Sequence, residues 1–293
     1  MSFIDVFNVG KSFGTGKALK PVLQNVCLSV ERGEFVSIVG TMGSGKSTFL
    51  SILAGLTAPD AGTVTIDNAV VDGIRRDAAY VFQNYSLLPW FSALENVRLA
   101  VNAALPELTP GEQRTEAQRA LGQVGLGNAL HRRPSQLSGG MRQRVAIARA
   151  FATRPKVLFL DEPFGALDAL TRETLQQDLA QLCSSAERPV TVVMITNSVE
   201  EALLLSDRIV PIMPGPPATL GTPIPVALPK PRTVANLAKD DQASYVRAHV
   251  VATLTAALGH RKEHVVRRKA AFARNTGATA VRLQPDLAPA KEQ

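Results

Sequence analysis

The fold of this chain is decided by the stretch Gly40-Thr41-Met42-Gly43-Ser44-Gly45-Lys46-Ser47, which fits the pattern G-x-x-x-x-G-K-[ST]. Residues 34–39, just before it, form a short apolar run rich in β-branched and aromatic side chains, which predicts a strand. Beyond Lys46, apolar residues recur at helical spacing through Leu56. A strand, a glycine-rich loop and a helix N-terminus form a cradle for phosphate, because backbone N–H groups and the helix dipole both favour an anion.

Individual residues of this loop have predicted tasks. Gly43 and Gly45 let the backbone approach a ligand closely, where a Cβ would intrude. We expect Lys46 to reach the β- and γ-phosphates of a nucleotide and Ser47 to bind Mg²⁺. The predicted nucleotide contacts are Gly40, Thr41, Met42, Gly43, Ser44, Gly45, Lys46, Ser47 and Thr48. The alternative is a glycine-rich turn in an ordinary α/β domain.

Two further motifs follow downstream. One is Leu137-Ser138-Gly139-Gly140-Met141-Arg142-Gln143-Arg144, and Ser138 precedes Asp161 by 23 positions. The other consists of four apolar residues, 157–160, followed by Asp161, Glu162 and Pro163. An acidic pair at this position could also cap the N-terminus of a helix.

Composition limits the classes of protein that need to be considered. At 293 residues with 45% hydrophobic and 19% charged side chains, the chain suits one large globular domain, or one domain plus an appendage. No stretch approaches 18 uninterrupted apolar residues, and the N-terminus does not resemble a signal peptide. Cys27 and Cys183 both lie in apolar patterns, which favours buried thiols in a reducing compartment. We therefore predict a cytoplasmic location.

The net charge of +7 is concentrated at the C-terminus. Residues 260–293 contain eight Lys or Arg against three acids, so they carry five of the seven net positive charges. The remaining 259 residues are close to neutral, which argues against a nucleic-acid partner. The basic tail is interpreted either as a solvated chain end or as a segment that contacts anionic lipid headgroups.

Periodicity along the chain separates several regions. Residues 1–75 alternate short apolar runs with turns, which predicts a largely antiparallel sheet, and residues 84–133 are helical with a break at residues 109–111. Beyond Gly140, strands alternate with helices, as in a buried parallel sheet. A Pro-rich segment at residues 211–231 closes the domain. After it, one amphipathic helix is predicted from Val246, Val250, Leu254 and Leu258.

With these motifs in place, residues 1 to about 230 resemble the nucleotide-binding subunit of an ABC transporter. The resemblance implies an α/β fold of the P-loop NTPase type, in which a RecA-like parallel-sheet core carries a flanking antiparallel β subdomain. An inserted helical signature subdomain is expected at about residues 84–150. The ATP-binding domain is expected to span residues 1–232, and residues 233–293 to form a short C-terminal extension of one helix and the basic tail.

In the family, ATP and Mg²⁺ are bound between two subunits that face each other head to tail. The resemblance implies that Ser138, Gly139 and Gly140 provide donors for the γ-phosphate of the ATP held by the other subunit. Asp168 matches the key residue of a loop that crosses to that subunit. Phe13 lies where the family keeps an aromatic side chain that stacks on adenine, which is the favoured interpretation; the alternative is a core residue at a sheet edge.

The resemblance also implies the catalytic residues. Gln83 is expected to help ligand Mg²⁺ and the attacking water, and to sense the membrane partner. Asp161 is expected to hold Mg²⁺ through water, and Glu162 to be the general base that deprotonates the hydrolytic water. The metal set is therefore Ser47, Gln83 and Asp161.

One position departs from the family pattern. A histidine that contacts the γ-phosphate is expected after the strand at residues 192–196, and this chain has Asn197 there. An asparagine can still donate a hydrogen bond, but it carries neither a proton nor a positive charge. We predict reduced but real ATP hydrolysis that depends on Asn197. The alternative is a catalytically weak regulatory subunit paired with an active sibling subunit.

The resemblance also implies partners. These are integral membrane permease subunits, a second ATP-binding subunit that is identical or related, and, indirectly, a solute-binding protein. The chain is then expected to lie on the cytoplasmic face of the inner membrane. The segment at residues 86–91 resembles the corresponding segment in the ATP-binding subunits of importers for nitrate, sulfonates and taurine. Nitrate or a related small anion is therefore the predicted cargo. Trp90 is interpreted as an anchor for the membrane subunit or as a core residue of the helical subdomain.

Overall fold

The computed structural model describes residues 2–165, 167–183, 189–215 and 217–257. Its strands are β1 (Ser2–Phe13), β2 (Lys20–Glu31), β3 (Phe35–Val39), β4 (Ala61–Ile66), β5 (Ala69–Val70), β6 (Ala78–Val81), β7 (Val157–Asp161), β8 (Thr191–Thr196), β9 (Arg208–Met213), β10 (Thr219–Leu220) and β11 (Ile224–Pro225). Its helices are α1 (Lys46–Leu53), α2 (Ala93–Ala104), α3 (Pro110–Gln123), α4 (Gly139–Phe151), α5 (Ala169–Cys183), α6 (Val199–Leu205), α7 (Val234–Leu237) and α8 (residues 241–257).

The centre of the fold is a sheet with the order β10-β9-β3-β8-β7-β6. Strands β3, β6, β7, β8 and β9 run parallel, and every residue of β3, β7 and β8 is buried. Both faces of these strands are covered by other elements, which explains their continuous apolar runs. The carboxyl ends of parallel strands meet at one edge of the sheet, so the residues that follow β3, β6, β7 and β8 are brought together there.

A second sheet, with the order β2-β1-β4-β5, is antiparallel. Its inward side chains share a buried cluster with Phe49 and Leu50 of α1 and with Val36 and Ile38 of β3. This packing fixes the strand, loop and helix of the phosphate cradle against the antiparallel sheet. The antiparallel sheet predicted for residues 1–75 is therefore present.

Helices α2, α3 and α4 form the helical segment that was expected at about residues 84–150. Ser92 with Glu95 and Thr109 with Glu112 form capping boxes, in which each side chain satisfies a backbone N–H of the other residue. Pro110 occupies the first turn of α3, where its missing N–H costs nothing. The predicted break at residues 109–111 is thus the beginning of α3.

The Pro-rich segment after β9 contributes β10 and β11, which both pair with β9 and were not predicted. The predicted C-terminal helix is α8, whose Val246 and Val250 are buried in the larger of the two hydrophobic clusters, together with Leu121 of α3 and Leu158 of β7. Leu258, predicted as part of this helix, and the basic tail at residues 260–293 lie outside the described residues. Within the described ranges, no helix combines the length and the apolar character needed to cross a bilayer.

The exposure of the cysteine and tryptophan side chains corrects one prediction and decides between two interpretations of Trp90. Cys27 is exposed, so the prediction of a buried thiol is wrong at this position; alternation along β2 turns its side chain away from the core. Cys183 is partly buried and packs against the larger cluster. Trp90 is 62% exposed, which excludes the interpretation that it fills the core of the helical segment.

Arg232 is a buried cation that ties the C-terminal end of α6 to the Pro-rich segment. Its guanidinium donates to the carbonyl oxygens of Leu203 at 2.8 Å, Ser206 at 2.6 Å, Val226 at 3.0 Å and Leu228 at 2.9 Å. The first two lie at the end of α6, where helical carbonyls lack intrahelical partners.

We expect Arg232→Met to lower the free energy of unfolding by about 2–4 kcal/mol, because several buried carbonyls lose a charged donor. Thermal denaturation followed by circular dichroism should show a midpoint several degrees lower. The exposed Arg114, replaced by Met in the same way, serves as the control. Equal midpoints for the two variants would contradict this role.

Candidate nucleotide-binding site

The loop between β3 and α1 has the backbone that a phosphate cradle needs. Gly43 and Gly45 have φ angles of 73° and 92°, in the left-handed region that favours glycine. A Cβ on Gly40 would lie 2.2 Å from Cγ2 of Ile212, so no larger residue fits there. Helix α1 has no side-chain cap at its N-terminus, and its first N–H groups are therefore available to a ligand.

Further residues of the loop are also suited to phosphate binding. The Ser44 hydroxyl is buried and has no hydrogen-bond partner among the described residues, an unusual state for a polar atom. Met42 is 82% exposed, and Thr41 and Thr48 are partly buried. A bound phosphate would supply the acceptor that the Ser44 hydroxyl lacks.

Lys46 is the buried cation of the site, with a side chain that is only 4% exposed. Its Nζ donates to the carbonyl oxygens of Gly40 and Thr41, both at 3.0 Å, and to Oδ1 of Asn197 at 2.7 Å. Burial lowers the pKa of the Lys46 ammonium, and the charges of Glu162 and Asp161 oppose that shift. The ammonium is thus held next to the place where phosphate charge would enter.

Asp161, at the end of β7, is fixed by two hydroxyl groups. Ser47 Oγ donates to Asp161 Oδ1 at 3.2 Å, and Tyr80 OH donates to Asp161 Oδ2 at 2.9 Å. Burial, together with the charge of Asp161, raises the pKa of Tyr80, so the phenol is a donor at neutral pH. Tyr80 was not among the predicted site residues, because nothing in the local pattern of β6 shows which residue of β7 it faces.

The Glu162 carboxylate accepts hydrogen bonds from residues that follow two other strands, β6 and β8. Its Oε1 accepts from Asn197 Nδ2 at 2.7 Å and lies 3.7 Å from Lys46 Nζ, while its Oε2 accepts from Gln83 Nε2 at 3.3 Å. Glu162 has a φ angle of 44°, a left-handed conformation that is uncommon outside glycine. Such strain persists where the surrounding structure fixes it, which is frequent at functional sites.

Asn197 lies between the two charged groups. Its amide accepts from Lys46 through Oδ1 and donates to Glu162 through Nδ2, both at 2.7 Å. The Asn197 side chain therefore links the cation of the phosphate loop to the carboxylate that follows β7. The sequence predicted that Asn197 would lie near the γ-phosphate, but not this bridge.

Phe13 lies at the end of β1 and is 47% exposed, which excludes the alternative that it is a core residue. Lys11 Nζ lies 5.5 Å from the centroid of its ring. An exposed aromatic face is what stacking on a base requires. The prediction that Phe13 contacts adenine stays a prediction.

The signature residues are found at the N-terminus of α4. Ser138 is the N-cap, and its Oγ accepts the backbone N–H of Met141 at 3.2 Å. Gly139 and Gly140 begin the helix, and a Cβ on Gly140 would lie 2.4 Å from Cγ2 of Thr171. Among the described residues, no hydrogen bond joins this helix end to the phosphate loop.

Asp168 precedes α5, close to the signature. Its Oδ1 accepts the backbone N–H of Thr171 at 3.0 Å, and backbone and side-chain hydrogen bonds with Thr171 lower the pKa of the Asp168 carboxyl. Asp168 thus caps α5 in this chain. Its predicted role in a crossing loop stays a prediction.

Arg149 at the end of α4 holds the segment that follows Gln83. Its guanidinium donates to the carbonyl oxygens of Tyr85 at 2.8 Å and Ser86 at 2.6 Å. Tyr85 and Ser86 have φ angles of 66° and 45°, so Arg149 stabilises an unfavourable backbone there. No local sequence pattern indicates this contact, which joins residues more than sixty positions apart.

Known proteins are similar to this chain in sequence and fold. A protein-family model described as ABC transporter matches residues 23–165. The nitrate import ATP-binding protein NrtD of Synechococcus elongatus is 46% identical over 252 residues, which are 86% of this chain and 91% of the relative. The chain belongs to the ABC transporter family.

Further relatives and solved structures agree with that assignment. The nitrate transport protein NasD of Klebsiella oxytoca is 45% identical, covering 85% of this chain and 94% of the relative. The bicarbonate transport ATP-binding protein CmpD of Synechocystis is 44% identical, with coverages of 82% and 84%. A solved structure of the ATP-binding cassette MJ0796 has a TM-score of 0.69 and 35% identity, covering 77% of this chain and 99% of the cassette.

Membership of the ABC transporter family confirms the predicted fold class, a P-loop core of mixed sheet with an antiparallel subdomain, and the prediction of an ATPase subunit of a transporter. The residues present fit both ligands of such a subunit. For ATP, the cradle offers free N–H groups, the Lys46 ammonium and the unpartnered Ser44 hydroxyl. For Mg²⁺, the oxygens of Ser47 and Asp161 lie 3.2 Å apart.

Proposed function

We propose that this chain is the ATP-hydrolysing subunit of an importer for nitrate or a related small anion. The observation that supports ATP hydrolysis is the network at the sheet edge, where Lys46, Asn197, Glu162 and Gln83 form one continuous set of hydrogen bonds and ion pairs. Such a network brings together a phosphate-binding cation and a candidate base. Its members lie in the segments that follow four different strands, β3, β6, β7 and β8, which makes an accidental arrangement a poor explanation.

Each residue has a proposed task in hydrolysis. The backbone of residues 40–48 and Lys46 bind the phosphates of ATP, and Phe13 stacks on the adenine. Ser47, Gln83 and Asp161 would hold Mg²⁺, and the bound ion would neutralise charge on the transferred phosphoryl group. Glu162 takes the proton of the attacking water, and Gln83 and Asn197 orient the Glu162 carboxylate by donating to its two oxygens.

The Mg²⁺ site relies on the nucleotide for part of its ligands. Among the described residues, no group of three or more His, Cys, Asp or Glu side chains could hold a metal ion. Mg²⁺ in phosphoryl-transfer sites is commonly bound by one or two protein oxygens, substrate phosphates and water. The donor set around Asp161 suits that arrangement.

The working form is proposed to be a head-to-tail dimer. Two solved structures of the similar cassette MJ0796 are dimeric, and one holds ADP and Pi. In this chain Ser138, Gly139 and Gly140 make no hydrogen bond to the phosphate loop of the same chain, as far as the described residues show. The signature would therefore complete the site of a second copy or of a related subunit, with Asp168 beside it.

The membrane partner is proposed to contact the exposed surface around Trp90. Trp90 is 62% exposed and lies edge-to-face with Phe91, a few residues after Tyr85 and Ser86, whose carbonyl oxygens accept from Arg149. Tryptophan is enriched among the residues that anchor protein–protein interfaces. Permease subunits bound there would place the chain on the cytoplasmic face of the inner membrane, and a solute-binding protein would deliver the anion from the other side.

The transported anion is inferred from relatives alone, because the cargo does not touch this subunit. NrtD and NasD are named for nitrate, and CmpD for bicarbonate, at similar identities. We propose nitrate first; sulfonate and taurine, which the segment at residues 86–91 also suggested, follow. The test is ATP hydrolysis by the chain reconstituted with its permease and solute-binding protein. Stimulation of hydrolysis by nitrate supports the proposal. Stimulation only by bicarbonate or by taurine contradicts the proposal that nitrate is the cargo.

The second candidate function is a regulatory subunit that binds ATP but hardly hydrolyses it. It is favoured by Asn197, which lacks the charge of a histidine and is already bonded to both Lys46 and Glu162. Steady-state hydrolysis by the purified chain, with Glu162→Gln as the blank, separates the two functions. Bound ATP with no turnover above that blank, alone and with the membrane partner, would establish the regulatory function.

Asn197 offers a matched pair of variants. We expect Asn197→Ala to lower kcat about tenfold or more, because Glu162 loses a donor and the charge-assisted bond of Lys46 is lost. Asn197→His should raise kcat by about one to two decades, since a charged contact of about 1–3 kcal/mol is regained in the transition state. Phosphate release at saturating ATP measures both. Equal kcat for all three proteins would show that Asn197 takes no part.

A further inference from the structure

Tyr80 is a polar residue of the site that the proposed mechanism does not use. It lies on β6, three positions before Gln83, and pairs with Phe159 of β7. Its phenol oxygen donates to Oδ2 of Asp161 at 2.9 Å. Its ring contacts Phe82, with the two ring centroids 4.3 Å apart.

The two oxygens of Asp161 have different partners. Oδ1 accepts from Ser47 of the phosphate loop, whereas Oδ2 accepts from Tyr80 of the neighbouring strand. Asp161 is only 9% exposed, so few water molecules or other donors can reach its carboxylate. The hydrogen bond from Tyr80 therefore fixes the plane of the carboxylate and leaves Oδ1 directed at Ser47, where a cation would be shared.

We propose that Tyr80 is a positioning residue for the Mg²⁺ site, which orients Asp161 and thereby sets the affinity of the site for the cation. The inference rests on the proposed function, because it assumes that Ser47 and Asp161 hold Mg²⁺ together with ATP. Partners of metal-binding carboxylates fix ligand geometry, and their loss commonly lowers metal affinity by about 10- to 100-fold. Tyr80 does more than fill space in the core, because its hydroxyl donates a hydrogen bond to the charged carboxylate of Asp161.

The test is Tyr80→Phe, which removes the hydroxyl and keeps the ring. It is made in the full chain that also carries Glu162→Gln, so that binding is measured without turnover. Binding of ATP is titrated by calorimetry in EDTA and at a series of Mg²⁺ concentrations. Tyr245→Phe, a hydroxyl deletion on the 71% exposed tyrosine of α8, is the matched control.

We expect the ATP dissociation constant of Tyr80→Phe in EDTA to be unchanged. The Mg²⁺ concentration that gives half of the maximal increase in ATP affinity should rise about 10- to 100-fold. Tyr245→Phe should leave both quantities unchanged. A half-maximal Mg²⁺ concentration within twofold of the parent overturns the inference. An equal loss of ATP affinity with and without Mg²⁺ also overturns it, because that result describes a structural role.

A second variant connects the effect to Asp161. In an Asp161→Asn background, Tyr80→Phe should have no further effect on the Mg²⁺ dependence, because the carboxylate that Tyr80 orients is absent. Additive effects of the two substitutions contradict the inference. Failure of the proposed function would be recognised separately, since the parent chain would then neither hydrolyse ATP nor bind it more tightly in Mg²⁺.

Discussion

Replacing Glu162 by glutamine should reduce ATP hydrolysis by about 100-fold or more while ATP binding is retained. Glu162 is the one carboxylate of the site whose two oxygens both accept hydrogen bonds from amide side chains, those of Asn197 and Gln83. A glutamine amide cannot take a proton, and its nitrogen would face one of these two donors. The substitution therefore removes the proton acceptor and one orienting contact together.

The same substitution should also favour the closed dimer. Glu162→Gln removes a negative charge beside the phosphate-binding Lys46, whose Nζ lies 3.7 Å from Glu162 Oε1. With less repulsion of the γ-phosphate and no hydrolysis to reopen the site, an ATP-bound dimer should persist. Size-exclusion chromatography in ATP should show a dimer peak for the variant that is weaker or absent for the parent.

The control for this experiment is Glu107→Gln, at an exposed position outside the site. It should leave both hydrolysis and elution unchanged. Phosphate release from Glu162→Gln at more than a tenth of the parent rate would show that another group accepts the proton. Glu162 would then be a ligand or a structural residue of the loop after β7.

The phosphate loop could be predicted from the sequence because its chemistry is local. The glycines with positive φ, the lysine and the hydroxyl all lie within eight consecutive residues, and the flanking strand and helix are visible in the apolar pattern. The same holds for the signature at the beginning of α4 and for the acidic pair after β7. Their predicted roles stay predictions, but their positions at element ends agree with the structure.

Contacts between distant residues could not be predicted in this way. Tyr80 meets Asp161, and Arg149 meets Tyr85 and Ser86, because of strand register and helix packing that a single sequence does not specify. The bridge that Asn197 makes is similar, since it depends on β8 lying between β3 and β7. The short strands β10 and β11 were missed because two residues carry no detectable periodicity.

Replacing Lys46 by methionine should lower ATP affinity by about 10- to 150-fold, the value of one hydrogen bond to a charged group at about 1.5–3 kcal/mol. Methionine keeps the length of the buried chain and removes the ammonium. Lys46 Nζ is the hydrogen-bond donor to Asn197 Oδ1 and lies near the Glu162 carboxylate, so its removal exposes any phosphate to uncompensated negative charge. Hydrolysis should fall below detection, because Lys46 is expected to stabilise charge in the transition state as well.

Binding to Lys46→Met is best followed with a fluorescent ATP analogue titrated into the purified chain. Lys239→Met, at an exposed position, is the control for loss of a lysine as such. Thermal denaturation separates a lost ligand contact from a lost fold, because Gly40 and Thr41 also lose a donor in this variant. An affinity within twofold of the parent, in a variant that melts at the parent temperature, would mean that the ammonium serves the loop backbone and not the nucleotide.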